Sequence, residues 1–284
     1  MYIYIMELQD FVETKSNVSF VSMRNYKSQY SKLFKLLGGN MPIASFSQKQ
    51  IIKTVKTLSN PNGQQALLNI AIQVLRMSGN EPTELTELRD NNKVKIKDLT
   101  KLKNVELAAT LPSYNDLLAH IDSLFNSNNW TDYVINYLLV NFQVRNKDLL
   151  FDIVLKKKDM VDTTKNYIWW NRSLKKIVYV RNNYKTVDTY GVKENTITDP
   201  NFILAIKRIV AHQKANELSG VFIPNESQLG YYICKASFNK ICEGKTVKIV
   251  INHFRNNIDK LKEISNNRGT SVDTLLSNYD IEFQ

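Results

Sequence analysis

The apolar positions at the start of the chain recur at helical spacing. Glu7 to Val12 opens a first segment. Ser22 to Leu37 carries Met23, Tyr26, Tyr30, Leu33, Phe34 and Leu37 on one face, and Gly38-Gly39 stops it. Ser47 to Leu58 carries Ile51, Ile52 and Val55 and ends at Asn60-Pro61-Asn62-Gly63. Gln64 to Met77 follows with Leu67, Leu68, Ile70, Ala71, Val74 and Leu75. These short amphipathic segments predict a small helical bundle over residues 1–95. Residues 84–112 are charge-rich and weakly periodic, which places a linker at 96–112.

From Ser113 the pattern sharpens. Leu117, Leu118, Ile121, Leu124 and Phe125 form one stripe, and Tyr133, Tyr137, Leu138 and Val140 form a second. Over residues 151–198 the period changes. Tyr167 to Trp170, Lys176 to Val180 and Glu194 to Thr198 are β-rich runs between polar turns, which predicts a small antiparallel sheet among the helices. Asp199-Pro200 then supplies a helix cap and first turn, followed by Phe202, Ile203, Ile206, Ile209 and Val210. Three helices are expected beyond it: Ser227 to Ile241, Thr246 to Leu261 with Val250, Phe254 and Ile258 inward, and Ser271 to Tyr279. The fold class is mainly α with a small antiparallel β-sheet (α+β).

Composition narrows the function. The 284 residues suit two modest domains, and the net charge of +11 favours a polyanionic partner, above all nucleic acid. Cys234 and Cys242 are the two cysteines, and neither has a Cys or His at metal spacing, so neither a disulfide framework nor a zinc site is expected. No apolar run is long enough to span a bilayer, and the start lacks the features of a signal peptide. An intracellular, soluble protein without a membrane partner is expected.

Four stretches carry candidate chemistry. Val144-Arg145-Asn146-Lys147-Asp148-Leu149 sets an acid three residues after an arginine. Asn183-Tyr184-Lys185-Thr186 is followed by Thr189-Tyr190-Gly191. Ile251-Asn252-His253-Phe254-Arg255 comes next, then Gly269-Thr270-Ser271-Val272 with Tyr279 closing the last predicted helix. In this order the stretches resemble the motifs of the tyrosine recombinases, the phage-type integrases, in the form carried by virophages, large DNA viruses and related mobile elements.

The resemblance implies a helical core-binding, DNA-clamping domain over 1–95 and a catalytic domain over 113–284. It implies site-specific cleavage and rejoining of double-stranded DNA by a homotetramer assembled on two DNA sites, with no cofactor and no metal. Arg145 and Arg255 would hold the non-bridging oxygens of a five-coordinate phosphorus, because a guanidinium donates two parallel hydrogen bonds where an ammonium cannot. Lys185, placed on a strand by the motif, would protonate the departing 5′ oxygen, and Tyr279 would form a 3′-phosphotyrosyl bond.

Two positions depart from the family pattern. Asn252 stands where it has His or Lys, and Thr270 where it has His or Trp. His253, Arg268 and Asp148 are the neighbours able to compensate or to orient the site. Plainer readings stand beside these. Arg145 is also placed to pair with Asp148, and Lys175, Lys176 and Lys193 compete with Lys185. Trp169-Trp170 fit sheet packing, and His120 and His212 receive no role. A type IB topoisomerase-like enzyme, and a decayed recombinase acting as a DNA-binding protein, are the alternatives.

Overall fold

The computed structural model describes residues 9–13, 20–216, 220–223 and 226–280. Glu7 and Leu8 of the first expected segment, and the tail after Asp280, lie outside the described residues. The chain divides into two compact units, Met1–Lys103 and Asn104–Gln284.

The first unit contains α1 (Phe20–Leu36), α2 (Gln48–Val55), α3 (Pro61–Met77) and the start of α4 (Thr83–Ala108). Ser47 and Gln50 form a reciprocal capping box on α2, and Asn60 caps α3 with Pro61 in its first turn. Phe11, Tyr30, Leu33, Ile51, Val55, Leu67 and Leu68 are fully buried in one core. Asn92 of α4 is buried as well and donates to Pro61 O at 2.8 Å, so its polar group is satisfied. Residues 96–108, read above as part of a linker, continue α4. Their side chains are mostly exposed, including Leu99, Leu102 and Val105. Weak periodicity here reflects a helix with no wide apolar stripe.

The second unit opens with α5 (Tyr114–Asn126), capped by a Ser113–Asp116 box, and α6 (Trp130–Asn141). Strands β1 (Phe151–Val154), β2 (Asn166–Asn171), β3 (Lys176–Arg181) and β4 (Lys193–Ile197) follow, with the short α7 (Val187–Tyr190) between the last two. Then come α8 (Pro200–Ala215), α9 (Leu229–Ala236), α10 (Glu243–Phe254), α11 (Ile258–Arg268) and α12 (Val272–Tyr279). The class is as expected, mainly helical with one small sheet of order β1-β2-β3-β4. The pairs β2–β3 and β3–β4 are antiparallel, whereas β1 joins parallel to β2. That strand is four residues long, too short for a periodic signal.

Side chains alternate across the sheet. Ile168, Ile177 and Tyr179 face the helical core, and Tyr167, Val178 and Val180 form a small cluster on the other face. Two helices expected to be continuous are broken. Residues 227–241 divide around Ser237, whose hydroxyl bonds to Ile233 O and Ile241 O, with Asn239 and Lys240 at positive φ. Thr246 to Leu261 divides into α10 and α11 at Asn257, which caps the second helix through Lys260 N at 3.1 Å. Ile258, expected inward, is 54% exposed because it starts the new helix. Apolar spacing continues across both breaks, so only the caps reveal them. His120 has a structural partner, with its Nε2 3.0 Å from Ala236 O.

Candidate active site

The end of α11 gathers the site. A helix leaves its last carbonyls without intrahelical partners and carries partial negative charge there. Gly269, at φ 60°, turns the chain out of α11, and the carbonyls on either side of it meet four different groups. Arg181 Nη1 donates to Asn267 O at 2.8 Å, and Arg145 Nη1 donates to Arg268 O at 2.5 Å. Thr186 Oγ1 donates to Gly269 O at 2.7 Å, and Ser265 Oγ to Thr270 O at 2.6 Å.

Two of the arginines here are buried. Arg181 is wholly inaccessible and Arg268 is 1% exposed. Arg181 also reaches Asn195 Oδ1 at 3.1 Å and Asp148 Oδ2 at 3.4 Å, so it joins β3, β4 and the turn after Arg145. Arg268 donates through Nη1 to Gln143 O at 2.6 Å. Its Nη2 donates to Glu243 Oε1 at 2.7 Å and to the Tyr279 hydroxyl at 2.8 Å, and its guanidinium carbon lies 4.8 Å from the Tyr279 ring centre. Tyr279 is half-buried at the end of α12, where Leu275 is buried and Val272, Leu276 and Tyr279 itself pack on the core.

Arg145 caps the 3₁₀ turn Asn146–Leu149, and its backbone N–H donates to Asp148 Oδ2 at 3.1 Å. The ion pair of Asp148 is with Arg181, not with the Arg145 side chain. Burial raises the Asp148 carboxyl above its ordinary value, outweighing the pull of Arg181 and the Arg145 backbone in the other direction. Burial, and then the positive Arg268, press the Arg145 guanidinium below its usual value, against the opposing pull of Asp148, Tyr279 and Glu243. An arginine keeps its proton through such shifts.

Lys185 is exposed and sits in the turn between β3 and α7, not on a strand as its motif suggested. Its neighbours fix that turn. Tyr184 is buried and donates to Gly191 O at 2.7 Å, and Thr186 holds Gly269. Lys176 begins β3, at the opposite end of that strand from Arg181. Lys193 begins β4 and donates to Asn266 Oδ1 at 2.9 Å, with burial and then Arg181 lowering its pKa.

Arg255 lies at the end of α10, with Nη2 3.7 Å from Asp280 Oδ2, so the residue after Tyr279 is held against it. Asn252 turns back onto its own helix, donating to Lys248 O at 2.7 Å. His253 is exposed and stacks on Tyr114 at 4.3 Å. The backbone of Thr270 is tied to Ser265 in both directions. The fold thus brings Arg145, Asp148, Arg268 and Tyr279 together directly, and Lys185 and Arg255 through neighbouring residues.

Sequence reasoning missed Arg181, Glu243, Asp280 and Gln143. Arg181 had a signal, because Ile177, Tyr179 and Arg181 share the inward face of one strand. Glu243 and Asp280 had none, since each acts through a distant arginine.

No protein-family model matches this chain, and no curated protein matches it. A solved structure of XerA recombinase aligns over 97% of this chain and 93% of its own length, at 14% identity and a TM-score of 0.38.

The buried arginine makes a direct prediction. Arg181→Met removes the only cation paired with buried Asp148 among the described residues and frees three acceptors. It should cost about 3–5 kcal/mol, read from the denaturant midpoint. Gly269→Ala is the second test. A Cβ there would lie 2.6 Å from Thr186 Oγ1 and 2.8 Å from the Tyr184 ring, at positive φ. The expected loss is roughly 2 kcal/mol or more. An unchanged midpoint in either variant overturns the corresponding contact.

Proposed function

We propose that this chain is a tyrosine recombinase that cleaves and rejoins double-stranded DNA through a 3′-phosphotyrosyl bond at Tyr279. One observation carries the reading. The Tyr279 hydroxyl accepts a hydrogen bond from buried Arg268, whose own carbonyl is held by Arg145. A phenol oxygen is thereby fixed on one guanidinium, and a second guanidinium is bonded to the backbone of the same arginine, an arrangement suited to attack on a phosphodiester. The basic character of the chain fits the same substrate.

In this reading Tyr279 gives up its phenolic proton to water as its oxygen attacks phosphorus, and the bond to the 5′ oxygen breaks. Arg145 and Arg255 hold the non-bridging oxygens as negative charge builds on them. Arg255 must then leave Asp280, exchanging a carboxylate for a phosphate of the same charge sign. Lys185 gives its proton to the departing 5′ oxygen. In the reverse step a 5′ hydroxyl attacks the phosphotyrosine and returns that proton, so the strand is rejoined without a cofactor.

Arg268 answers the departure at Thr270. It places a charged donor on the nucleophile from within the core, where the family pattern would supply His or Trp from position 270. Asp148 acts as an orienting residue, through Arg181 and the Arg145 backbone. In this reading His253, which stacks on Tyr114, and Asn252, which bonds to Lys248 O, take no step. Exchange between two duplexes requires four copies of the chain, and integration by a viral or other mobile element is the setting we infer.

Tyr279→Phe keeps the ring and removes the hydroxyl. It should bind DNA nearly as the parent does and give no covalent adduct that survives SDS on nicked DNA. An adduct in that variant places the nucleophile elsewhere. Lys185→Ala should slow cleavage by about two to four orders of magnitude, the range for loss of a positioned acid. A substrate with sulfur in place of the bridging 5′ oxygen needs no proton on its leaving group. Lys185→Ala should therefore recover on that substrate while Arg145→Ala does not. Rescue of Lys176→Ala instead would move the acid to the start of β3.

A further inference from the structure

The far end of the sheet carries a second basic site. Its cavity, of about 560 Å³, is lined by Lys156, Lys157, Trp169, Arg172, Leu174 and Lys214, among others. The cations come from three separate stretches: the turn after β1, the β2–β3 hairpin and the last turn of α8. They converge through folding and not through a run of charge. The site is distinct from the one around Tyr279. Arg172 lies beyond the Asn171–Lys176 end of the hairpin, and Arg181 is five residues along β3 from Lys176. At the rise of a strand that separation is roughly 17 Å.

Its chemistry is one-sided. Among the described residues no acidic side chain lines the cavity, and none of its four cations forms an ion pair. Elsewhere on the surface Lys93, Lys165, Lys260 and Lys262 each have an acid beside them. The cavity also has an apolar and aromatic part. Trp169 is half-buried, with Lys157 Nζ 5.9 Å from its ring centre, and Leu174 at the hairpin tip is 62% exposed. Clustered cations without counter-charge favour a polyanion. An indole among them favours a ligand that also offers flat apolar faces.

We infer that this cavity binds an unpaired nucleic-acid strand, with bases against Trp169 and Leu174 and phosphates on Lys156, Lys157, Arg172 and Lys214. Duplex DNA satisfies the cations alone, because its bases are stacked on each other and out of reach of the indole. A single strand satisfies both halves of the site. The volume is within the range of small-ligand pockets, roughly 300–1,000 Å³, which suits individual nucleotides of such a strand. The inference does not depend on Tyr279 or on strand cleavage.

The test is the affinity of the full chain for labelled oligothymidylate and for a duplex of equal length, by fluorescence anisotropy. The exposed double variant Arg172→Glu/Lys214→Glu should weaken oligothymidylate binding about tenfold or more and change duplex binding little. Trp169→Leu should weaken it by a similar factor, and its melting temperature shows whether the fold is kept. Lys156→Gln/Lys157→Gln is the substitute if it is not. Tyr279→Phe should bind oligothymidylate as the parent does, so failure of the recombinase reading leaves this test intact. Equal losses on single strand and duplex would make the cavity a general phosphate surface and overturn the assignment. Unchanged oligothymidylate binding in the charge variants overturns it outright. So does loss of binding to phosphatidylserine vesicles with oligothymidylate binding kept.

Discussion

The C-terminus of α11 is the constraint on which the second unit depends. Four successive carbonyls, from Asn267 to Thr270, accept hydrogen bonds from Arg181, Arg145, Thr186 and Ser265. A helix end needs such donors, and cations suit its partial negative charge. The donors come from the turn after α6, the end of β3 and the β3–β4 connection, with one from α11 itself. A single helix terminus therefore sets the register between the sheet and the last helices. Gly269 makes this possible twice over. It supplies the left-handed turn, and it leaves room for Thr186 and Tyr184 to close on the backbone.

The same bonds place the candidate residues. An arginine at the surface loses much of its charge effect to water, whereas Arg268 and Arg181 act in an interior of low dielectric. Their burial is tolerable because every terminal guanidinium nitrogen has an acceptor, and only Arg181 Nε and Arg268 Nε have none among the described residues. Glu243 and Asp148 supply the compensating charge. Arg145 and Arg255 are only partly buried, and each rests on an acceptor from the last turns of the chain. Under the proposed reaction the two buried arginines are fixed framework, and the two partly buried ones are the groups that would meet a phosphate. Lys185 is exposed on a turn anchored at both sides, so in that reaction it would approach DNA without disturbing either.

Much of the fold is legible locally. The capping boxes at Ser47 and Ser113, the Asp199-Pro200 start of α8 and the alternation in β2 and β3 each depend on residues a few positions apart. Breaks within continuous apolar spacing were not legible, as at Ser237 and Asn257, because periodicity is unaffected by a change of helix direction. Nor was β1, whose partner in the sheet decides it.

For the candidate site the division is sharper. The sequence by itself determined which residue types are present, in what order, and that Tyr279 shares a helical face with Leu275. It could not determine that Asp148 pairs with Arg181 instead of the nearer Arg145 side chain. Nor could it show that Arg268, and not Thr270, reaches the Tyr279 hydroxyl. Glu243 and Asp280 gained their partners only in three dimensions. The physical reason is range. Caps and periodic faces are set by neighbours along the chain, whereas a buried charge takes whatever partner the packing brings within hydrogen-bond distance.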